Sequence, residues 1–445
     1  MMEEHDVKRP KPSAQGEKVV REAYEIARGA YADLGVDTET AIERAARVPI
    51  SVHSWQGDDV RGFEAGQGPA DSGGLLATGN YPGRARNADE LRGDLEEVLS
   101  LVPGVHRVNV HAIYAETGGP SGAGRRVDRD ALEPKHFAGW IDWARKRGIG
   151  LDFNPTFFAH PKAADGLTLS HPDPGIRGFW ISHGIACRRI GEAMARELGT
   201  PCGVNLWIPD GSKDLPADRW SPRRRLLESL DAIYADDLGI DRRLCLDSVE
   251  SKLFGLGSEA YVVGSHEFYL AYALARGLAV CLDMGHFHPT ETVHDKLSAI
   301  LVFADWLLLH ASRAIRWDSD HVVLFDDDVR AVFQELVRGE ALGRVKVALD
   351  YFDASINRVA AYVIGARAVR KAVLYALLEP GDRLKALEAE GKGAQKLALL
   401  EEAKTLPFGA VWDMLCLRAG VPPAGGWMPM VEAYEKDVLA RRRSP

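Results

Sequence analysis

Short apolar runs alternate with amphipathic segments of helical length along most of the chain. Eight runs are rich in β-branched or apolar residues, and each is closed by polar or turn residues, at 48–55, 107–114, 148–155, 204–209, 243–254, 278–289, 306–312 and 345–353. Segments with apolar residues at helical spacing lie between most of them, at 89–101, 134–147, 176–198, 222–238 and 326–337. Eight strands alternating with helices predict an α/β fold, a parallel (β/α)8 TIM-type barrel.

Helical patterns flank the predicted barrel on both sides. Residues 1 to about 15 are polar and contain proline, and 16–48 then have the apolar spacing of a helix. Beyond 357 the strand patterns stop, and helices are predicted at 358–378, 381–403 and 430–443. We therefore expect an N-terminal tail and helix over 1–46, a barrel with the functional site over 47–356, and a helical C-terminal arm in subunit contacts over 357–445.

Composition and charge narrow the class of protein. The 445 residues are 46% hydrophobic and 27% charged, which argues against a disordered chain and against a coiled coil. The formal net charge of −9 argues against a nucleic-acid partner, because phosphate neutralisation needs clustered Lys and Arg. The chain shows neither a signal-peptide pattern nor a membrane-length apolar run, so we expect a cytoplasmic protein without a membrane partner.

Ionisable side chains are concentrated at the ends of the last four predicted strands. In chain order they are Glu250 and Lys252, then Asp283 and His286, then His310 with Asp318 and Asp320 after it, and finally Asp350 and Asp353. Five of the 14 histidines fall between positions 283 and 321. Because parallel barrels form their active sites where strand ends meet the following loops, we expect these side chains to share one site.

This mixture of side chains predicts a site for a hard divalent cation. Carboxylates with a minority of imidazoles suit Mn²⁺, Mg²⁺ or Co²⁺, whereas a structural zinc site normally uses thiolates. The five cysteines form no C-x-x-C pair, and we expect none of them among the clusters at ligand spacing. The interval from Asp283 to His286 further requires the chain to turn at Met284-Gly285, which glycine permits.

Eight segments at and near the strand ends match the pattern of a known family. They are 52–60, 77–83, 151–155, 207–211, 249–255, 285–291, 316–321 and 352–358, and they include Gly285-His286-Phe287-His288-Pro289 and Arg316-Trp317-Asp318-Ser319-Asp320-His321. In combination these segments resemble the L-rhamnose isomerase family, from about position 40 to the C-terminus. Residues 1 to about 20 and 123–126 depart from the family pattern, and neither stretch contains a candidate ligand.

The resemblance implies a barrel in a homotetramer that interconverts L-rhamnose and L-rhamnulose as a two-metal aldose–ketose isomerase. It implies Mn²⁺, two per subunit, with Co²⁺, Mg²⁺ or Zn²⁺ as substitutes. Carried over residue by residue, one metal is held by Glu250, Asp283, His310 and Asp353, and the catalytic metal by His286, Asp318 and Asp320. Asp350 is the alternative to Asp353, which we prefer because it ends the predicted strand and because 352–353 also resembles the last metal-bearing strand of xylose isomerases.

Other strand-end residues are candidates for contacts with the sugar. Lys252 is predicted to stabilise charge on O1, and Asp353 is the one candidate for a base that abstracts a carbon-bound proton. The predicted substrate contacts are His53, Trp55, Asp58 and His111. Because the other carboxylates are assigned to cations, we expect a metal-assisted 1,2-hydride shift rather than an ene-diol route.

Two other classes of protein fit parts of the pattern. One is another metal enzyme on the same scaffold, either a ketose 3-epimerase or a phosphodiesterase that acts on abasic DNA. The other is a non-catalytic sugar-binding protein, which has no need for two metal sites. An epimerase would use two glutamates across the sugar, whereas only Glu250 stands at a strand end. The negative net charge of the chain disfavours a DNA substrate for a phosphodiesterase.

Overall fold

Eight parallel strands form a closed barrel in the computed structural model, which describes residues 14–64, 77–117, 127–254, 258–288, 290–315 and 320–442. The strands are β1 (Ile50–His53), β2 (His106–His111), β3 (Gly150–Asn154), β4 (Cys202–Leu206), β5 (Cys245–Glu250), β6 (Ala279–Asp283), β7 (Leu307–Ala311) and β8 (Val345–Leu349). Each strand pairs with its neighbours in chain order, and β1 pairs with β8 to close the ring. The predicted (β/α)8 TIM-type barrel is therefore confirmed.

All eight predicted runs overlap a barrel strand, although each strand is shorter than its run, and β2 and β4 begin one and two residues before theirs. The runs also include the first residues of the loops, where polar side chains cluster. The register between neighbouring strands then determines which of these side chains lie at the same height along the barrel axis. Glu250 of β5 is paired with Cys281 of β6, and Asp283 of β6 is paired with His310 of β7. Side chains from three neighbouring strands are thereby brought to one end of the barrel.

Helices surround the barrel and continue beyond it. They are α1 (Ala14–Ala32), α2 (Thr38–Arg47), α3 (Ala88–Leu101), α4 (Ala138–Arg147), α5 (Pro174–Leu198), α6 (Trp220–Ile233), α7 (His266–Arg276), α8 (Val293–Leu301), α9 (Asp327–Arg338), α10 (Arg358–Leu377), α11 (Gly381–Ala389), α12 (Gly393–Ala403), α13 (Phe408–Arg418) and α14 (Met428–Asp437). In α7, α8 and α13 the chain is helical where no helix is predicted. None of the described helices is both long and apolar enough to cross a membrane.

The single helix predicted over 16–48 is wrong in detail, because the chain forms α1 and α2 there. Gly35 adopts a left-handed φ of 80° between them. Asp37 then caps α2, since its side chain accepts hydrogen bonds from the backbone N–H groups of Glu39 and Thr40. The helix predicted over 381–403 is likewise two helices, α11 and α12, with Gly391 at a φ of 71° between them.

Helix α10 follows β8, the last strand of the barrel, and lies next to β1, the first strand. It packs against β1 and against α2, α3 and α9, so it completes the ring of helices. Its buried Arg370 donates hydrogen bonds to the backbone carbonyls of Ala45, Val48 and Val105. These bonds fix the segments that lead into β1 and β2. The division of the chain at 46 and 357 stays a prediction.

Candidate active site

Four polar side chains from neighbouring strands converge inside the C-terminal end of the barrel. Glu250 ends β5, Asp283 ends β6, His310 lies in β7, and Asp350 directly follows β8. One ligand atom from each lies within 4.8 Å of the others, so the four side chains could hold one metal ion. We call these four residues the deep group.

Several buried atoms of the deep group lack a hydrogen-bond partner among the described residues. They are Oε1 of Glu250, Oδ2 of Asp283 and both ring nitrogens of His310. Nδ1 of His310 is 3.1 Å from Oδ2 of Asp350, yet the orientation of the ring does not make a hydrogen bond. Because a buried polar atom without a partner costs about 1–3 kcal/mol, this arrangement fits residues that await a cation.

The charges within the deep group are strongly coupled. Burial opposes ionisation of Glu250, but the charge of His310 and a contact with His286 hold the pKa of its carboxyl below the usual range. Burial raises the pKa of Asp350, although the neighbouring His310 acts in the opposite direction. A divalent cation at this point would favour the ionised form of both carboxylates.

Asp283 is oriented by the turn that follows β6. Its Oδ1 accepts hydrogen bonds of 2.6 Å from the backbone N–H of Gly285 and from the hydroxyl of Ser312, which leaves Oδ2 for the centre of the deep group. A Cβ on residue 285 would lie 2.9 Å from Oγ of Ser312, so a larger residue would displace the hydroxyl that binds Asp283. The turn predicted at Met284-Gly285 is confirmed.

Three supporting side chains, those of Asn205, Ser248 and Trp55, were not assigned these roles from the sequence. The side-chain amide of Asn205, on β4, donates to Oε2 of Glu250, and the hydroxyl of Ser248 donates to Oδ1 of Asn205 at 2.8 Å. This chain fixes the orientation of the amide and therefore of Glu250. The indole N–H of Trp55 donates to Oδ1 of Asp350 at 2.9 Å, so a residue expected only to contact substrate also holds a deep-group carboxylate.

Asp350, and not Asp353, belongs to the deep group. The expectation that Asp353 ends the strand is wrong, because β8 ends at Leu349 and Asp350 follows it directly. Oδ1 of Asp353 accepts hydrogen bonds from the backbone N–H and the hydroxyl of Ser355, at 2.7 and 2.6 Å. Its carboxylate thus closes a turn in the loop, and the geometry favours Asp350 as the fourth ligand.

Two of the three residues predicted to hold a second metal, His286 and Asp320, lie beside the deep group. Nδ1 of His286 is 3.1 Å from Oε1 of Glu250, and Asp320 lines the same pocket. Asp318 lies outside the described residues. The pocket is lined by Trp55, Val60, His111, Asn154, Phe158, Trp207, Glu250, His286, Asp320, Asp350 and Phe352. Its wall therefore combines four aromatic side chains with the carboxylates and imidazoles.

Two of the four predicted substrate contacts line this pocket. Trp55 and His111 meet edge to face, with their ring centres 4.6 Å apart. Nδ1 of His111 is paired with the hydroxyl of Thr156 at 2.9 Å. Burial lowers the pKa of His111 to about 3, so the imidazole is neutral at pH 7 and suits hydrogen bonding rather than proton transfer.

The other two predicted contacts, His53 and Asp58, are not part of the pocket wall. Nε2 of His53 is hydrogen-bonded to the backbone carbonyl of Tyr351, which does not line the pocket either. Asp58 accepts hydrogen bonds from the hydroxyl of Tyr114 and the backbone N–H of Gly62, both at 2.6 Å. Burial raises the pKa of Asp58 to about 7. Both residues hold the loops around the site.

Lys252 lies behind the pocket wall. Its ammonium group donates to the backbone carbonyl of Pro209 at 3.3 Å and is 5.7 Å from the ring centre of Trp207. Because Trp207 lines the pocket, the charge of Lys252 stands one aromatic ring away from it. Its predicted contact with O1 of a sugar stays a prediction.

A cysteine accompanies the deep group, so the expectation that none does is wrong. Sγ of Cys281, the ligand oxygen of Glu250 and a ring nitrogen of His310 lie within 4.8 Å of one another. Cys281 precedes Asp283 by two residues on β6, and alternate residues of a strand share a face. That two-residue interval is the sequence signal for its position.

The parallel barrel carries a cluster of candidate metal ligands and a pocket at its strand ends. This is the architecture of barrel enzymes, whose active sites lie at the C-terminal ends of the strands. The family model of L-rhamnose isomerase (RhaA) matches residues 18–442. An L-rhamnose isomerase of Rhodopirellula baltica is 56% identical over 95% of this chain and 97% of its own length. One of Mannheimia succiniciproducens is 56% identical over 95% of this chain and 99% of its own length.

The chain therefore belongs to the L-rhamnose isomerase family, and it is an aldose–ketose isomerase. This membership sets aside the epimerase, the phosphodiesterase and the sugar-binding protein. A solved structure of L-ribulose 3-epimerase is similar with a TM-score of 0.45 and 14% identity, over 77% of this chain and 98% of that one. Likeness at that level carries no argument about the reaction.

Proposed function

We propose that this enzyme interconverts L-rhamnose and L-rhamnulose with the help of two divalent cations. The observation that carries the proposal is the deep group at the wall of an aromatic pocket, where several buried oxygens and nitrogens have no hydrogen-bond partner among the described residues and lie close enough to share one cation. Family membership supplies the sugar, because the relatives at 56% identity are L-rhamnose isomerases.

Two sets of residues would hold the cations. Glu250, Asp283, His310 and Asp350 would hold one, and His286, Asp318 and Asp320 would hold the other. The bound cations supply Lewis acidity, which acidifies the O2 hydroxyl of the aldose and polarises C1. We propose Mn²⁺ for both, and oxygen and nitrogen ligands of this kind also accept Co²⁺, Mg²⁺ and Zn²⁺.

The protein's own side chains position the sugar and exclude water. The aromatic wall formed by Trp55, Phe158, Trp207 and Phe352 gives an apolar surface on which the C6 methyl of a deoxy sugar can pack. His111, neutral because it is buried, offers a hydrogen bond to a sugar hydroxyl. Lys252, behind Trp207, adds positive potential on the side where O1 would carry charge.

Removal of divalent cations tests this function directly. Treatment of the full chain with a chelator should abolish formation of L-rhamnulose from L-rhamnose, and added Mn²⁺ should restore it. The melting temperature should rise with added Mn²⁺, because a ligand that binds only the folded state stabilises that state. Parallel assays with Co²⁺, Mg²⁺ and Zn²⁺, and with other aldoses, define metal preference and substrate range. Full activity in exhaustively demetallated protein would contradict the proposal.

We propose that hydrogen moves from C2 to C1 with its electron pair while the O2 proton moves to O1. An ene-diol route would need a base beside C2, and the candidate for that role, Asp353, is engaged by Ser355. Ketose made in D₂O should therefore carry little deuterium at C1 after a single turnover, as measured by NMR. Near-stoichiometric deuterium at C1 would favour the ene-diol route and make Asp353 the leading base.

Assembly and location complete the proposal. We propose a cytoplasmic homotetramer in which the helical C-terminal arm takes part in subunit contacts. Exposed apolar side chains support association, since Val302 and Phe303 at the end of α8 are 74% and 78% exposed.

A further inference from the structure

Two alternative sets of ligands overlap at the base of the active site. Glu250 and His310 belong to the deep group of oxygen and nitrogen ligands, and they also form a set with the thiol of Cys281. The first set offers two further carboxylates, from Asp283 and Asp350. The second set replaces both carboxylates by one sulfur.

Cys281 is buried next to the candidate ligands of the deep group. It is 1% exposed and packs with Leu308 and Ala348, which belong to β7 and β8. It is level with Glu250 in the register between β5 and β6. It takes part in no disulfide. Both ring nitrogens of the fully buried His310 lack a hydrogen-bond partner among the described residues. A nitrogen lone pair of this imidazole can therefore bind a cation held by either set of ligands.

We propose that Glu250, Cys281 and His310 form an inhibitory site for soft divalent cations such as Cd²⁺, which overlaps the deep group. Thiolate ligands select soft cations, whereas carboxylates suit Mn²⁺ and Mg²⁺. Binding replaces the S–H bond of Cys281 by an S–Cd bond, and the proton is released to solvent. Because Glu250 and His310 serve both sets, a cation in this site withdraws two ligands from the deep group.

The inference rests on the proposed function only through these two shared residues. Cd²⁺ held by sulfur should stop the isomerisation, and an excess of Mn²⁺ should compete with it. The enzyme would then discriminate between cations by the set of ligands that each one binds.

Cadmium binding can be followed without an activity assay, because Cd–thiolate bonds absorb in the ultraviolet. Titration of the full chain with Cd²⁺ should give this band in the wild type, and excess Mn²⁺ should diminish it. Cys281→Ser should lose most of the band and bind Cd²⁺ at least about tenfold more weakly. The matched control is Cys416→Ser, which removes another buried thiol distant from the site and should keep the band. A band of equal amplitude in Cys281→Ser would overturn the inference and assign Cd²⁺ to another thiol, such as Cys202 or Cys245.

Cadmium NMR of the wild type gives a second measurement that needs no variant. A sulfur ligand shifts the cadmium resonance far downfield of a site made only of oxygen and nitrogen. A downfield resonance supports the inference, and a resonance typical of oxygen and nitrogen ligands contradicts it. Binding of Mn²⁺, followed by electron paramagnetic resonance, tests the deep group separately. If Mn²⁺ does not bind while the cadmium band depends on Cys281, the proposed function fails and this inference stands.

Discussion

Asp350→Asn should lower kcat/KM for L-rhamnose by roughly 10²–10³-fold, because it removes a charge that a cation in the deep group needs. The substitution keeps the size of the side chain, and its amide oxygen can still accept the hydrogen bond from the indole of Trp55. The fold should therefore be retained. Steady-state kinetics with added Mn²⁺, together with calorimetric titration of Mn²⁺, separate weaker metal binding from slower turnover.

Asp353→Asn is the matched control for this prediction. Its amide oxygen keeps an acceptor for the N–H and the hydroxyl of Ser355, and the residue lies outside the deep group. Its kcat/KM should stay within about tenfold of the wild-type value, because the substitution removes only one charged hydrogen-bond acceptor from a loop. If Asp353→Asn were the more damaging variant, Asp353 would regain its place as the fourth ligand or as a base.

Arg188→Met should lower the free energy of unfolding by about 3–5 kcal/mol, the cost of leaving a buried partner charge unpaired. Arg188 of α5 binds Asp247 of β5 with two hydrogen bonds, of 2.8 and 2.7 Å, and donates a third, of 2.6 Å, to the carbonyl of Ile233. Both charged side chains are 2% exposed. The pair joins a helix to the strand that carries Glu250. Urea denaturation measures the loss.

Two further variants test the cause of this loss. The double variant Arg188→Met with Asp247→Leu should recover much of the stability, because no charge then remains buried without a partner. Arg243→Met removes an exposed partner of Asp241 and should have a much smaller effect. A small loss in Arg188→Met, or no recovery in the double variant, would contradict the buried-charge explanation.

The sequence predicts the barrel well because strand periodicity and helical spacing are local properties. It also predicts Glu250, Asp283 and His310, since each is a polar side chain at the end of an apolar run. The choice between Asp350 and Asp353 depends instead on where β8 stops pairing. The backbone N–H of Asp350 donates to the carbonyl of Ala311, and this contact with another strand is invisible in the local pattern.

Asn205 and Cys281 show the same limit inside the barrel. Asn205 lies within an apolar run, and only the register between β4 and β5 brings it against Glu250. Cys281 has the right two-residue interval to Asp283, yet an interval alone does not say which face of the strand points inward. The sequence predicts one helix in place of α1 and α2 because only one glycine, Gly35, interrupts an otherwise continuous apolar spacing.

Two contacts between the start and the end of the barrel determine the order in which the chain can fold during synthesis. They are the pairing of β1 with β8 and the hydrogen bonds from Arg370 to Ala45 and Val48. The first strand emerges from the ribosome some 300 residues before its partner and must wait with one edge open. The barrel can close only when β8 and α10 have left the exit tunnel. The carboxylates and imidazoles come from the last four strands, so they also assemble at that late stage. Under the proposed function, the chain would therefore acquire a cation only in the last steps of its folding.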